Sequence, residues 1–86
     1  MPRYIALFNL ACLTRQGAEQ LAQRFACAPA FSLRRLQVNL LEGKMLAELD
    51  APNRDTLATW LNENRCQADW LLRVEYEFSD GRFISL

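Results

Sequence analysis

Six serine and cysteine side chains could serve as nucleophiles: Ser32, Ser79, Ser85, Cys12, Cys27 and Cys66. A hydrolytic nucleophile needs an imidazole or a substitute base beside it, and the sequence contains no histidine. No catalytic residue is therefore expected. A zinc site asks for about four ligands, commonly with paired cysteines in C-x2-4-C spacing. The three cysteines are too scattered for that, so neither a metal nor another cofactor is expected. They read as small buried hydrophobes. Cys66, just past the second helical segment, is the one candidate reactive thiol, but a helix C-terminus raises a thiol pKa rather than lowering it.

Charged residues offer a second kind of chemistry. Arg35, Glu48, Arg73, Glu75 and Glu77 fall on alternating strand positions that share one face. They read as a solvated surface of cross-strand ion pairs; the competing reading is a polar ligand site with two carboxylates for acid–base work. Trp60, Trp70 and Phe25 each fit the apolar stripe of their element, so they are expected in the core. A small-molecule pocket lined by the three, between helices and sheet, is the sharper expectation.

Seven segments must position these residues. Residues 3–10 are apolar with little alternation, as in a central strand. Thr14 caps a helix to about Ala26, with Ala18, Leu21, Ala22 and Phe25 on one stripe. Residues 33–41 alternate, with Leu36, Val38 and Leu40 inward. Glu42-Gly43 turns the chain into a second strand, residues 44–50, forming an antiparallel hairpin. Pro52-Asn53 opens a second helix carrying Leu57, Trp60 and Leu61. Residues 69–78 alternate most clearly, and Trp70, Leu72, Val74, Tyr76 and Phe78 are expected to face the helices. Asp80-Gly81 is a hairpin dipeptide that lets residues 82–86 pair back as a short extra strand. The order β-α-β-β-α-β predicts an α+β, ferredoxin-like arrangement over residues 1–86 as one domain: an antiparallel sheet with both helices on one face. Leu36, Val38, Leu49, Leu57, Leu61, Leu72, Val74 and Tyr76 are the expected core.

The bulk numbers bound the partners. Ten basic and ten acidic residues cancel, leaving no electrostatic footprint for nucleic acid or anionic membrane. No stretch is apolar enough to span a bilayer, and the first apolar run, ending at Asn9, is too short for a secretory leader. With an odd cysteine count, a soluble, reduced, cytoplasmic protein is expected. Ile5-Ala6-Leu7-Phe8-Asn9-Leu10 resembles the first-strand motif of RNA-recognition modules, which stack bases on an open sheet face. Ala6 stands where those modules carry an aromatic and residues 42–49 hold none, so nucleic acid is not an expected partner.

Residues 45–57, Met-Leu-Ala-Glu-Leu-Asp-Ala-Pro-Asn-Arg-Asp-Thr-Leu, together with the opening Met1-Pro2-Arg3-Tyr4, resemble small bacterial ferredoxin-like proteins of uncharacterised function. Those relatives carry Glu-x-Ala-Pro before the second helix; here Glu48-Leu49-Asp50-Ala51-Pro52 is one residue longer. The resemblance implies kinship with the dimeric α+β barrel superfamily. Nickel binding, found in some of that group, is not carried over to a chain without histidine.

A domain this small gains stability by burying a surface against a partner. With Tyr4, Ala6 and Phe8 toward the helices, Ile5 and Leu7 face outward; the reverse choice exposes Tyr4 and Phe8, so an apolar centre remains either way. Ile5, Leu7, Leu46 and Leu71, ringed by Arg35, Arg73, Glu75 and their charged neighbours, are the expected homodimer interface. The functional expectation is a non-catalytic dimerising module with a site for a small molecule. The alternative is a cofactor-independent enzyme of the dimeric-barrel type, a small monooxygenase or isomerase.

Overall fold

Both helices begin where a side chain satisfies their first free amides. Thr14 Oγ1 accepts from the Gly17 N–H at 3.0 Å, and Asn53 Oδ1 accepts from the Thr56 N–H at 2.8 Å. In the computed structural model, which describes residues 1–86, the element order is β1 (Arg3–Asn9), α1 (Arg15–Ala26), β2 (Ser32–Asn39), β3 (Lys44–Asp50), α2 (Arg54–Glu63), β4 (Trp70–Val74), β5 (Tyr76–Ser79) and β6 (Arg82–Ser85). α2 closes with Arg65 in the left-handed region (φ 56°). There the Cys66 N–H donates to Leu61 O at 2.8 Å and the Arg65 N–H to Asn62 O at 3.1 Å, the paired bonds of a Schellman cap. Arg24 of α1 donates to Asn64 O at 2.7 Å, tying the end of one helix to the end of the other.

The first four strands form one antiparallel sheet in the order β2-β3-β1-β4; β5 and β6 form a separate antiparallel pair. β1 is central, as its continuous apolar run requires. Its Tyr4, Ala6 and Phe8 lie opposite Leu49, Ala47 and Met45 of β3. All six are buried, and they join Phe25 of α1 and Leu57 and Leu61 of α2 in one core closed by Phe31, Ala51 and Cys66. The register partners Ala6 and Ala47 are fully buried, so the middle of the sheet presents only methyl groups to the large side chains packed on it. The β2–β3 turn depends on Gly43. Its φ is +66°, and a Cβ there would stand 2.7 Å from the Leu10 carbonyl oxygen.

Four sequence expectations are corrected. β2 carries a bulge between Leu33 and Arg35, which brings Leu33 and Leu36 onto the helix face although they are three residues apart. The run 69–78 is not one strand: it breaks at Glu75, and the second half leaves the sheet to pair with β6. The inward and outward sides of β4 are exchanged as well. Leu71 is the partner of Ala6 and packs on the core, whereas Leu72 is the partner of Ile5 on the other face and is 43% exposed. Tyr76 is exposed, Val38 lies at an open edge, and Val74 shares the outer face, so none of the three belongs to the core. Leu49, Leu57 and Leu61 do, with Leu36 packed against them.

Candidate functional site

The face of the sheet turned away from the helices is laid out by register, read from β2 to β4, in a polar row of Asn39, Lys44 and Asn9 at one end and three rows beyond it. Gln37, Leu46, Leu7 and Trp70 form the first; Arg35, Glu48, Ile5 and Leu72 the second; Ser32, Asp50, Arg3 and Val74 the third. Directly opposed residues share a face, so the β1–β4 half carries Ile5, Leu7, Trp70, Leu72 and Val74, with Leu46 beside Leu7. The β2–β3 half is charged. No helix covers either half, because both helices contribute their buried side chains to the opposite side.

Arg3 organises the charged half. Its side chain is only 13% exposed and stands 3.6 Å from Glu48 Oε1, 3.8 Å from Asp50 Oδ1 and 3.2 Å from Glu77 Oε1. Arg34 donates to Asp50 Oδ2 at 2.9 Å, and that bond, with the Asp50 charge, raises its guanidinium pKa further. Arg3 and Arg34 thus face three carboxylates in one network. The Arg3 Nε alone has no hydrogen-bond partner; Asp50 is its near neighbour. Glu77 belongs to β5, so this network also anchors the root of the β5–β6 hairpin to the sheet.

The hairpin turns at Asp80 and Gly81, both at positive φ (52° and 77°), the geometry of a type I′ turn. Tyr76 and Phe78 lie on the same side as Phe83, with Phe83 opposite Phe78 in register. The Phe78 and Phe83 rings are 5.5 Å apart edge to face, and Phe83 meets Tyr76 at 6.3 Å. These rings touch one another and are 63–74% exposed.

The expected ligand-lining trio is divided. Phe25 and Trp60 do meet, with ring centroids 5.2 Å apart. Phe31 stands edge-on to Trp60 at 4.8 Å and Phe8 lies 5.7 Å from Phe25, so aromatic rings fill this space. Trp70 lies on the opposite face of the sheet beside Leu7. It also lines a cleft of about 640 Å³ at the end of α2, with Arg54, Asn62, Arg65, Gln67 and Asp69. Arg54 already donates to Leu71 O at 2.6 Å. Burial pushes the Cys66 thiol pKa up, and the Arg24 charge opposes that shift.

Of the expected interface residues, Ile5, Leu7, Leu46 and Arg35 share the open face. Leu71 and Arg73 do not: they are the partners of Ala6 and Tyr4 on the helix side, because the strand pairs one residue out of step with the expected faces. Glu75 sits at the break between β4 and β5, where its carbonyl accepts from the Leu86 N–H at 2.9 Å. Sequence reasoning missed Arg3 as the hub and the apolar trio Trp70, Leu72 and Val74. The alternation of β4 is the signal for that trio, but the structure turns it to the face opposite the expected one.

No helix is long and apolar enough to cross a membrane. Comparison with known protein families, with curated proteins and with solved structures finds no match to this chain.

Proposed function

We propose that the chain is a non-catalytic ferredoxin-like module that pairs with a second copy through the open face of its four-stranded sheet. One observation carries this reading: Trp70, Leu72 and Val74 face away from the helices and merge with Ile5 and Leu7 into one apolar strip. In a one-layer sheet the apolar side of an alternating strand ordinarily meets the core. On β4 that side meets solvent, as suits a strand whose cover comes from another molecule. The element order and the strand order β2-β3-β1-β4 are compatible with a ferredoxin-like fold.

The chemistry of the face supports binding over catalysis. A general acid or base must reach its substrate, whereas Glu48, Asp50 and Glu77 are held by Arg3 and Arg34. The space between helices and sheet is occupied by Phe8, Phe25, Phe31 and Trp60, which supports a packing role for these rings. In this reading a small molecule finds its place in the cleft at the end of α2, whose volume lies within the roughly 300–1,000 Å³ of ordinary ligand sites. The three thiols are unpaired and two are exposed, which supports a reducing, cytoplasmic setting.

Light scattering at high micromolar concentration tests the pairing. The expected mass is twice the 9.9 kDa of the chain. Leu7→Lys is expected to yield a folded monomer, because a lysine at a half-buried outer position can lift its charge to water in the free chain but not in a closed interface. A wild-type monomer, or a dimer unaffected by Leu7→Lys, would overturn the proposal.

A further inference from the structure

The apolar strip on the sheet is by itself smaller than a standard interface between two proteins. Trp70 and Leu72 are 43% exposed and Ile5, Leu7, Leu46 and Val74 are partly buried already, so the strip offers roughly 350 Å² of apolar surface. That is no larger than the patch an ordinary monomer tolerates, on the order of 300–600 Å², and about half of the roughly 800 Å² per partner of a standard interface.

The missing area lies on the C-terminal hairpin. Tyr76, Phe78 and Phe83 are exposed by 63%, 65% and 74%, and three aromatics that bare offer roughly another 400 Å². The hairpin continues directly from β4, whose outer face is the strip itself. A two-stranded hairpin is marginal in water by itself. Here an ion pair at its root, Arg3 to Glu77 at 3.2 Å, ties it to the sheet, and nothing in its own chain covers the three rings.

We infer that the β5–β6 hairpin is an arm whose aromatic face closes on the second copy, extending the sheet interface to full size. The inference rests on the pairing proposed above and adds the element that completes it. Strip and arm together reach about the standard area per partner. The charges nearest the strip are self-complementary: Arg3, Arg34 and Arg35 are matched by Glu48, Asp50 and Glu77. In a two-fold pair each copy gives one arm and receives one, so a single set of residues serves both sides.

The double variant Phe78→Ser/Phe83→Ser tests the arm by sedimentation across a concentration series. Buried aromatic anchors dominate interface energies, so the dimer dissociation constant is expected to rise at least about 100-fold. Far-ultraviolet circular dichroism should keep the signal of the two helices and the four-stranded sheet, because neither ring belongs to the core. Hydrogen exchange on the wild-type chain supplies a readout without mutation. Amides of residues 76–85 should be protected above the dissociation constant and released on dilution below it. A dimer that Leu7→Lys dissociates but Phe78→Ser/Phe83→Ser leaves intact, with hairpin exchange independent of concentration, would overturn the arm and leave the sheet pairing standing. A wild-type monomer would overturn both. Flotation of that monomer with phosphatidylcholine vesicles, lost in the double variant, would assign the rings to a lipid surface instead.

Discussion

Two leucines distinguish the core face of the sheet from its outer face. Leu57 of α2 is fully buried, whereas Leu72 of β4 is 43% exposed on the outer side. Leu57→Ala removes a side chain from the centre of the core, where such truncations cost about 2–5 kcal/mol including the cavity left behind. A chain of this length has a total stability of about 4–13 kcal/mol, so the loss is a large fraction of the whole. Leu72→Ala removes a side chain already half in water, and the same transfer argument gives about 1 kcal/mol or less. Both substitutions belong in the Leu7→Lys background, where dimerisation no longer adds to apparent stability. With a urea slope of about 1 kcal/mol/M for so small a domain, the unfolding midpoint should fall by about 2 M or more for Leu57→Ala and by about 1 M or less for Leu72→Ala. Equal shifts, or a larger one for Leu72→Ala, would return the β4 stripe to the core and remove the basis for the outer surface.

Two further perturbations test the local structure. Gly43→Ala adds a methyl group where φ is +66° and the Leu10 carbonyl oxygen would stand 2.7 Å away; urea unfolding should show a loss of about 2 kcal/mol or more, and a loss within error would contradict the turn. Cys66 is buried, and its burial raises the thiol pKa, so mass spectrometry of alkylated protein at mildly alkaline pH should show the exposed Cys12 and Cys27 modified well before it. A thiol pKa raised by folding favours the native state below the ordinary thiol range, and that contribution is lost as pH rises through and above it. Cys66 modified as fast as Cys12 would contradict its burial.

The elements themselves were legible because their signals are local. Thr14 and Asn53 cap the two helices as read, and Asp80-Gly81 turns the last hairpin. The faces were harder, because alternation gives a period but not a direction. β1 is settled by its pairing with β3, which sets Tyr4, Ala6 and Phe8 against three other buried residues. β4 is an edge strand with one neighbour, so nothing in its own sequence says that Leu71, rather than Leu72, lies over Ala6. The bulge in β2 did leave a trace: Leu33 and Leu36 are both apolar at a separation no regular strand permits for one face. The core was misjudged for a related reason. A search for large aliphatic residues passes over Ala6, Ala47 and Ala51, which are fully buried, and over Phe8 and Met45 beside them. Of the candidate trio, Phe25 and Trp60 pack among Phe8 and Phe31, and Trp70 is carried to the outer face by the same one-residue offset.

The most direct test of the central claim is the fluorescence of Trp70 as the sole tryptophan, in a Trp60→Phe variant, followed from high to low protein concentration. The outer-face assignment with a second copy as cover predicts blue-shifted emission in the concentrated dimer. On dilution it predicts a cooperative shift to the red, at the concentration where the sedimenting mass halves. Emission that stays blue at every concentration would put Trp70 in the core, and emission that stays red would leave the strip uncovered; either result contradicts the account.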